Sequence, residues 1–344
     1  MSRMFQSPAE KQRRTREITT LSVLGVLIVV MFIVSMNTGL MRLSPMEVLH
    51  TLLGGGTQQQ KLILFDFRLP RIVISLLVGA GFAVSGCILQ GLSRNALAEP
   101  STLGINAGAG FAVILFISFV PATTAAHIFV LPLMALVGAV LTAALIYFLS
   151  YRREDGLSPT RMILIGIAVG AGIYAFQLIL SLRLDPQNFQ FVSIWLAGKI
   201  WGGDWRFVLA LLPWIVILLP FTFYKSRVLN LLGLGDQTSA GLGVPVEKER
   251  ILLLAAAVIL SGACVAVSGG IGFVGLIAPH LARRLVGPKH QVLLPACALV
   301  GALLLITADT IARWALQPSE IPTGIVVALI GAPYFLYLLA KSKA

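Results

Sequence analysis

Charged side chains are scarce in this sequence. They make up 12% of its 344 residues, whereas a typical soluble domain carries about 25%. Hydrophobic residues reach 57%, and apolar runs of about 20 residues, each long enough to cross a bilayer, recur along most of the chain. The composition leaves little room for a soluble domain. It predicts an all-α, polytopic membrane protein built as a single membrane domain over residues 1–344.

Cysteine and histidine are also few. The three cysteines, Cys87, Cys264 and Cys297, all lie inside apolar runs, and none has CxxC spacing. The four histidines are scattered near span ends or in loops, without the spacing of metal ligands. The pattern predicts no disulfide, no metal site and no cofactor. It contains nothing that resembles a catalytic triad, so we do not expect an enzyme.

A nucleotide-binding loop of the form GxxxxGK[ST] is missing, so this chain is not expected to bind ATP by that route. Of the 14 acidic residues, only Asp309 lies well within a predicted span, and Arg313 follows one helical turn later. One paired carboxylate is a poor proton relay, although a stand-alone secondary transporter stays open as an alternative. The sequence favours a pore-forming subunit that receives its energy from a partner.

The net charge of +12 does not indicate nucleic-acid binding, because the basic residues form no helix interleaved with aromatics. With the N-terminus inside, 18 of the 26 lysines and arginines fall in inner segments and 8 in outer segments. Inner loops of membrane proteins usually carry this excess. We therefore expect a multi-pass protein of the cell membrane in contact with lipid. Residues 1–17, the loop 224–250 and both termini are expected in the cytoplasm.

Ten membrane spans are predicted from the apolar runs, and a short helix opening at Ser44-Pro45 and ending at Gly54 is predicted between the first two. The span at 269–283 is the shortest and is rich in glycine. The spans fall near 18–37, 70–91, 101–121, 124–150, 161–182, 206–223, 251–268, 269–283, 292–314 and 322–340.

An internal repeat links two of these spans. Residues 79–88 read GAGFAVSGCI and residues 262–271 read GACVAVSGGI, with seven identities in ten positions at an offset of 183. The copies lie on the second and seventh spans and therefore run in opposite directions through the membrane. An inverted-topology repeat of this kind is a common way to build a transporter. Small residues at helix-packing spacing, Gly104 with Gly108 and Gly166 with Gly170, also predict a tightly packed bundle.

The loop between the sixth and seventh spans is polar and punctuated by glycines. Its centre, LGDQTSAGLG, predicts a short helix from Asp236 to Ala240, broken at Gly241 or Gly243. A helical element that projects inward is a suitable handle for a motor subunit.

Long stretches of the chain resemble one family. Residues 68–104, RLPRIVISLLVGAGFAVSGCILQGLSRNALAEPSTLG, look like the signature of the FecCD permeases of iron–siderophore, haem and vitamin B12 ABC importers. Residues 269–287, GGIGFVGLIAPHLARRLVG, and the later stretch EIPTGIVVALIGAPYFLYLL resemble the same family. The resemblance covers nearly the whole chain. It implies a type II ABC importer permease with ten membrane helices.

The resemblance also implies partners. Two permeases, identical or homologous, pair in the membrane; two ABC ATPase subunits bind inside, and a substrate-binding protein docks outside. The expected substrate is a ferric siderophore, with haem and cobalamin open as alternatives in the same family.

Site residues follow from the matching positions. The loop LGDQTSAGLG resembles the family's coupling element, which implies that Asp236, Ala240 and Gly243 contact the ATPase. The stretch FVSIWLAGKIWGGDW resembles a short external helix over the pore mouth, and its matching residues are Trp195, Gly198 and Trp205. Lys199 stands where a serine is more usual, so substrate preference does not carry over from that position.

Three arginines at the outer ends of two spans need a separate explanation, because basic residues usually collect inside. Arg68, Arg71 and Arg313 resemble the family's basic residues that receive acidic side chains of the binding protein. Two other roles stay open. All three side chains could reach up to lipid headgroups, or Arg313 could simply pair with Asp309.

Overall fold

The computed structural model describes residues 8–39, 44–120, 127–152, 156–200 and 204–342. The fold is all-α. A hairpin of two-residue strands, β1 and β2, is the one β element in the described part of the chain. The helices are α1 Pro8–Asn37, α2 Pro45–Leu52, α3 Gln58–Lys61, α4 Leu69–Ser93, α5 Ile105–Phe119, α6 His127–Ser150, α7 Pro159–Ser181, α8 Pro186–Leu196, α9 Trp205–Tyr224, α10 Ser226–Leu232, α11 Asp236–Gly241, α12 Val246–Ser268, α13 Val274–Val286, α14 His290–Trp314 and α15 Thr323–Ser342. The strands are Tyr151–Arg152 and Gly156–Leu157.

Seven of these helices are long and apolar enough to cross a membrane, and two shorter apolar helices lie at Ile105–Phe119 and Thr323–Tyr337. With α13 they make the ten predicted spans. Several predicted boundaries differ from those of the structure. The span placed at 269–283 begins only at Val274, because Gly269 and Phe273 both adopt left-handed backbone conformations that a helix excludes. The span placed at 101–121 begins at Ile105.

The helix predicted at Ser44-Pro45 is present. Ser44 and Glu47 form a reciprocal capping box at the start of α2, which satisfies two backbone donors at that end. The next membrane helix begins earlier than expected. Residues Gln58–Ser93 form one continuous helical span of 36 residues. A π-helical segment, Leu62–Arg68, joins α3 to α4 within it. Arg68 ends this extension, and Arg71 follows it in the first turn of α4.

The centre of the bundle consists of α4, α12 and α14. In the most apolar part of each span, 78% is buried for the span containing α4, 72% for α12 and 61% for α14. The corresponding values are 11% for α1 and 17% for α7. The peripheral helices α1 and α7 therefore expose most of their apolar surface, which can contact lipid or another subunit. Several polar side chains on these central helices are buried inside the protein, among them Gln90, Ser261 and Asp309.

Close packing in this bundle depends on small residues. A methyl group added at Gly79 would lie 2.3 Å from the Gly301 carbonyl oxygen, so only glycine allows α4 and α14 to approach this closely. The predicted glycine pairs also meet. Gly104 lies against Gly166 and Gly170, with its added methyl position 3.3 Å from the Gly166 carbonyl oxygen. The prediction of tight small-residue packing is confirmed.

The two copies of the repeat lie on α4 and α12. Ser85 in the first copy donates a hydrogen bond to the Ala257 carbonyl oxygen of α12 at 2.7 Å, so the two repeat helices are direct neighbours. The second copy runs past the end of α12 into the turn at Gly269. This turn brings the second half of the fold against the C-terminal end of α8.

Candidate docking, pore-mouth and coupling sites

The three arginines predicted to bind an outside partner line one cavity. Arg68 lies at the end of the π-helical segment, Arg71 in the first turn of α4 and Arg313 in the last turn of α14. The cavity has a volume of about 380 Å³ and also contacts Glu320, in the segment between α14 and α15. Three guanidinium groups thus meet at one opening of the bundle.

Asp309 is the buried centre of this cluster. Its side chain is fully buried, and its two carboxylate oxygens accept from Arg71 Nε at 3.0 Å and from Arg313 Nε at 3.1 Å. The Thr323 hydroxyl donates to it at 3.1 Å. The i,i+4 pairing of Asp309 with Arg313 expected from the sequence is therefore present. It is one part of a network that joins α4, α14 and α15.

Arg68 and Arg313 have a further contact with the end of α1. The last carbonyl groups of a helix have no backbone N–H donor within the helix, and cationic side chains stabilise them. Arg68 donates to the Met36 carbonyl oxygen. Arg313 donates to the carbonyl oxygens of Ser35 and Thr38, the latter at 3.1 Å. Both arginines are buried, with relative exposures of 6%. They hold α1 against the bundle as well as lining the cavity.

The C-terminal end of α8 packs against two glycine-containing segments. Trp195 is buried, and Gly198 adopts a left-handed conformation with φ of 78°. A methyl group at Gly198 would lie 2.8 Å from Ile271 and 3.1 Å from Gly324, so a larger residue does not fit. The backbone N–H of Gly324 donates to the Gly198 carbonyl oxygen at 2.9 Å. The end of the predicted pore-mouth helix is thus fixed to the start of α15 and to the turn before α13.

The other two residues of the predicted pore-mouth set, Lys199 and Trp205, lie after the end of α8. Lys199 follows Gly198 and is half-buried. Trp205 begins α9, and its indole N–H donates to the Phe65 carbonyl oxygen of the π-helical segment at 2.8 Å. Residues 201–203 lie outside the described residues. The predicted short helix after α7 is present as α8, but Trp205 belongs to the next element.

The loop after α9 contains the predicted short helix. Helix α11 begins at Asp236 and ends at Gly241, in agreement with the expectation, and Gly243 follows with φ of 81°. Ala240 and Gly243 are exposed. The opposite side of the helix is fixed, because the buried Ser239 hydroxyl donates to the Leu231 carbonyl oxygen at 2.7 Å. The face of α11 that carries Ala240 is therefore exposed.

Asp236 turns towards its own chain. Its carboxylate pairs with Arg94, at the end of α4, and with Arg250 of α12 at 2.7 Å. Partial burial opposes ionisation of Asp236, but the hydrogen bonds and charges of Arg250 and Arg94 outweigh it and lower the carboxyl pKa. A lowered pKa keeps the group ionised at neutral pH, so the pairs persist there and are lost only in acid. Asp236 links α11 to the two central helices α4 and α12.

Residues 27–341 match the model of the FecCD transport family. The chain belongs to the FecCD transport family. The iron(3+)-hydroxamate import system permease protein FhuG of Bacillus subtilis is 51% identical over 337 residues, covering 97% of this chain and 100% of the relative. The iron-uptake system permease protein FeuC of the same species is 41% identical, covering 92% and 96%.

A solved structure described as an inward-facing metal-chelate type ABC transporter has the same fold as this FecCD chain. The TM-score is 0.81 at 33% sequence identity, and the match covers 94% of this chain and 99% of the other. The fold class expected from the sequence, an ABC importer permease, is therefore confirmed.

Sequence reasoning missed several residues of these sites. Glu320 bonds Arg71 from 249 positions away, and Arg94 bonds Asp236 from 142 positions away. No local spacing connects such residues, and only the folded FecCD bundle brings them together. Within the described part of the chain, no group of three or more histidine, cysteine or acidic residues could hold a metal ion.

Proposed function

We propose that this chain is the membrane-spanning permease subunit of an ATP-driven importer of ferric siderophores. The observation that carries the proposal is the 51% identity with the hydroxamate permease FhuG, over 97% of this chain and the whole of the relative. Small differences in a translocation path can change the substrate, so ferric hydroxamates are the first class to test and haem the second.

Energy for transport is assigned to a separate ATPase. The sequence has no phosphate loop. The buried Asp309 is held by two arginines, which makes it a poor carrier of protons or sodium. Helix α11 supplies an exposed contact surface at Ala240 and Gly243. We assign this surface to an ABC ATPase, with Asp236 passing its movement to α4 and α12. A second permease subunit completes the translocation path.

Reconstitution tests this function. The permease should be placed in proteoliposomes with its ATPase, its partner permease and its binding protein. Iron-loaded hydroxamate should then accumulate only with ATP on the ATPase side. Uptake that survives without the ATPase would identify a secondary transporter. ATP-dependent uptake of haem in place of the hydroxamate would change the assigned substrate.

Orientation is proposed from charge. The distribution of basic residues, 18 in the proposed inner segments and 8 in the outer ones, supports a cytoplasmic location for residues 1–17, residues 224–250 and both termini. The arginine cavity then opens outside, on the side of the binding protein, and α11 faces the ATPase.

Cysteine labelling in intact cells tests this orientation. The three native cysteines are buried, so the background should be low. Gln12→Cys and Gln237→Cys, both at exposed positions, should react with an impermeant thiol reagent only after the cells are opened. Gln59→Cys, at the edge of the arginine cavity, should react in intact cells. Labelling at Gln237→Cys in intact cells would overturn both the orientation and the assignment of α11.

Docking of the binding protein is proposed at the arginine cavity. Guanidinium groups bind carboxylates through two parallel hydrogen bonds, which orient a partner as well as attract it. Arg71 is the most exposed of the three, with 13% of its side chain accessible. Arg68 and Arg313 are more buried and also bind carbonyl groups at the end of α1. We therefore assign Arg71 the direct contact and Arg68 and Arg313 a supporting charge.

Charge reversal at Arg71 should weaken docking strongly. Loss of one partner from a buried interfacial charge pair costs about 2–5 kcal/mol, and a glutamate adds repulsion. We expect Arg71→Glu to lower the affinity of the binding protein by at least about 30-fold at low salt. Binding can be measured by surface plasmon resonance on permease complexes in nanodiscs. The control is Arg183→Glu, an exposed residue between α7 and α8 that does not line the cavity. Wild-type affinity for a folded Arg71→Glu variant would contradict docking at this cavity.

A further inference from the structure

Two carboxylates share Arg71, and they differ in burial. Asp309 accepts from Arg71 Nε at 3.0 Å, and Glu320 accepts from Arg71 Nη1 at 2.9 Å. Asp309 is fully buried, whereas one third of the Glu320 side chain is exposed. The more exposed carboxylate therefore occupies the outer side of the same guanidinium group.

The attachments of the two acids differ in the same way. Asp309 lies within α14 and bonds Arg71, Arg313 and Thr323. Glu320 lies in the segment that joins α14 to α15, and Arg71 is its ion-pair partner in the described structure. If Glu320 moved away, Arg71 would keep its pair with Asp309. Arg71 would therefore still have a carboxylate partner after Glu320 departs, which makes the contact with Glu320 the exchangeable one.

The cavity also limits how many carboxylates it can hold. Its lining includes three guanidinium groups and the Glu320 carboxylate, with Asp309 buried behind them. A carboxylate arriving from outside meets a positive site, but Glu320 already holds the Arg71 Nη1 donor. Two carboxylates on one donor repel each other. An incoming acid must therefore take the place of Glu320 or remain at a distance from Arg71.

We propose that Glu320 is a resident substitute for the partner's carboxylate. It holds Arg71 in the undocked permease, and an acidic side chain of the binding protein displaces it on docking. The inference rests on the docking site proposed above and adds how that site is regulated. Exchange of one ion pair for another keeps Arg71 neutralised throughout. It also weakens docking, so the binding protein can leave after delivering its substrate.

Removing the charge of Glu320 should therefore strengthen docking. Glu320→Gln keeps the size of the side chain but frees Arg71 from a competing charge. Because partly exposed ion pairs are weak, we expect roughly two- to fivefold higher affinity at low salt. The gain should shrink as salt rises. The probe is the substrate-binding protein that co-purifies with the wild-type importer, titrated onto complexes in nanodiscs.

Glu47→Gln is the matched control. Glu47 lies on the same proposed outer side and loses the same charge, but it contacts Ser44 and Gln60 and no cavity arginine. Glutamine also serves at this position of a capping box, so α2 should stay intact. Docking to Glu47→Gln should match the wild type. An equal gain in both variants would reveal a general charge effect and overturn the proposal.

Two further variants separate this inference from the docking proposal. Arg71→Gln combined with Glu320→Gln should show no gain over Arg71→Gln alone, because the contested group is gone. If Arg71→Glu weakens docking but a folded Glu320→Gln variant binds no better than wild type, Glu320 is only structural and the inference is wrong. If Arg71→Glu itself leaves docking unchanged, the docking site and the inference both fail. Thermal unfolding of each complex identifies variants that do not fold.

Discussion

Replacing Gly243 by glutamate should abolish most transport while leaving the permease folded. Gly243 follows α11 with φ of 81°, a conformation that costs other residues about 1–2 kcal/mol. A methyl group added there meets no atom of this chain within 4 Å. The fold itself therefore has room for a side chain, and the obstacle lies in the backbone conformation and in the proposed ATPase contact.

The size of the effect follows from the contact. Loss of a hot-spot contact at the centre of an interface costs about 2 kcal/mol or more, which is about 30-fold in affinity. We expect uptake by Gly243→Glu complexes to fall by about this factor and substrate to stimulate ATP hydrolysis less. Expression, membrane insertion and thermal unfolding should stay close to wild type. The readouts are uptake in proteoliposomes and co-purification of the ATPase.

Two controls separate strain from the contact. Gly241 ends α11 without a left-handed backbone and also has open space around it, so Gly241→Ala should have little effect. Gly243→Asn should lose less than Gly243→Glu, since asparagine visits the left-handed region more readily than other residues. Normal uptake by a well-expressed Gly243→Glu variant would show that this glycine is not at the ATPase interface.

Much of the fold was predictable because the signals are local. Apolar runs located the ten spans, and Ser44-Pro45 located α2. The pattern from Asp236 to Gly243 located α11 and its turn. The boundary errors have local causes too. The span predicted at 70–91 left out Lys61 and Asp66, yet the helical structure continues through both residues. At 269–273, two left-handed residues outweighed an apolar sequence.

The sites were less predictable because they depend on distant residues. Sequence reasoning grouped Arg68, Arg71 and Arg313 only through family resemblance, and it could not rank them. The structure separates them by their contacts. Arg68 and Arg313 bind carbonyl groups at the end of α1, more than 30 positions earlier in the chain. Arg71 instead pairs with Glu320. Such pairings follow from helix packing, which no spacing within one segment encodes.

Loss of the Asp309 carboxylate should destabilise the permease more than loss of the carboxylate of Glu17, Glu47 or Glu320. Asp309 is fully buried and pairs with both Arg71 and Arg313. Its removal leaves Arg71 with Glu320 alone and takes away the carboxylate that Arg313 pairs with, and breaking a buried pair in this way costs about 3–5 kcal/mol. Asp309→Ala should therefore lower the thermal unfolding temperature of the purified complex markedly and reduce its yield. Asp309→Asn should do less harm, because the amide oxygen still accepts one hydrogen bond.

The chain offers a matched pair for this comparison. Arg13 and Glu17 have the same i,i+4 spacing as Asp309 and Arg313, with a separation of 3.0 Å, but they lie near the exposed start of α1. Exposed helix pairs contribute about 0.3–0.5 kcal/mol, so Glu17→Gln should barely change the unfolding temperature. Added salt should remove the small effect at Glu17 and leave the large one at Asp309, because buried pairs are screened much less. Equal, small shifts for both variants would mean that the network does not hold α4, α14 and α15 together. In that case the arginine cavity would have to be kept in shape by helix packing alone.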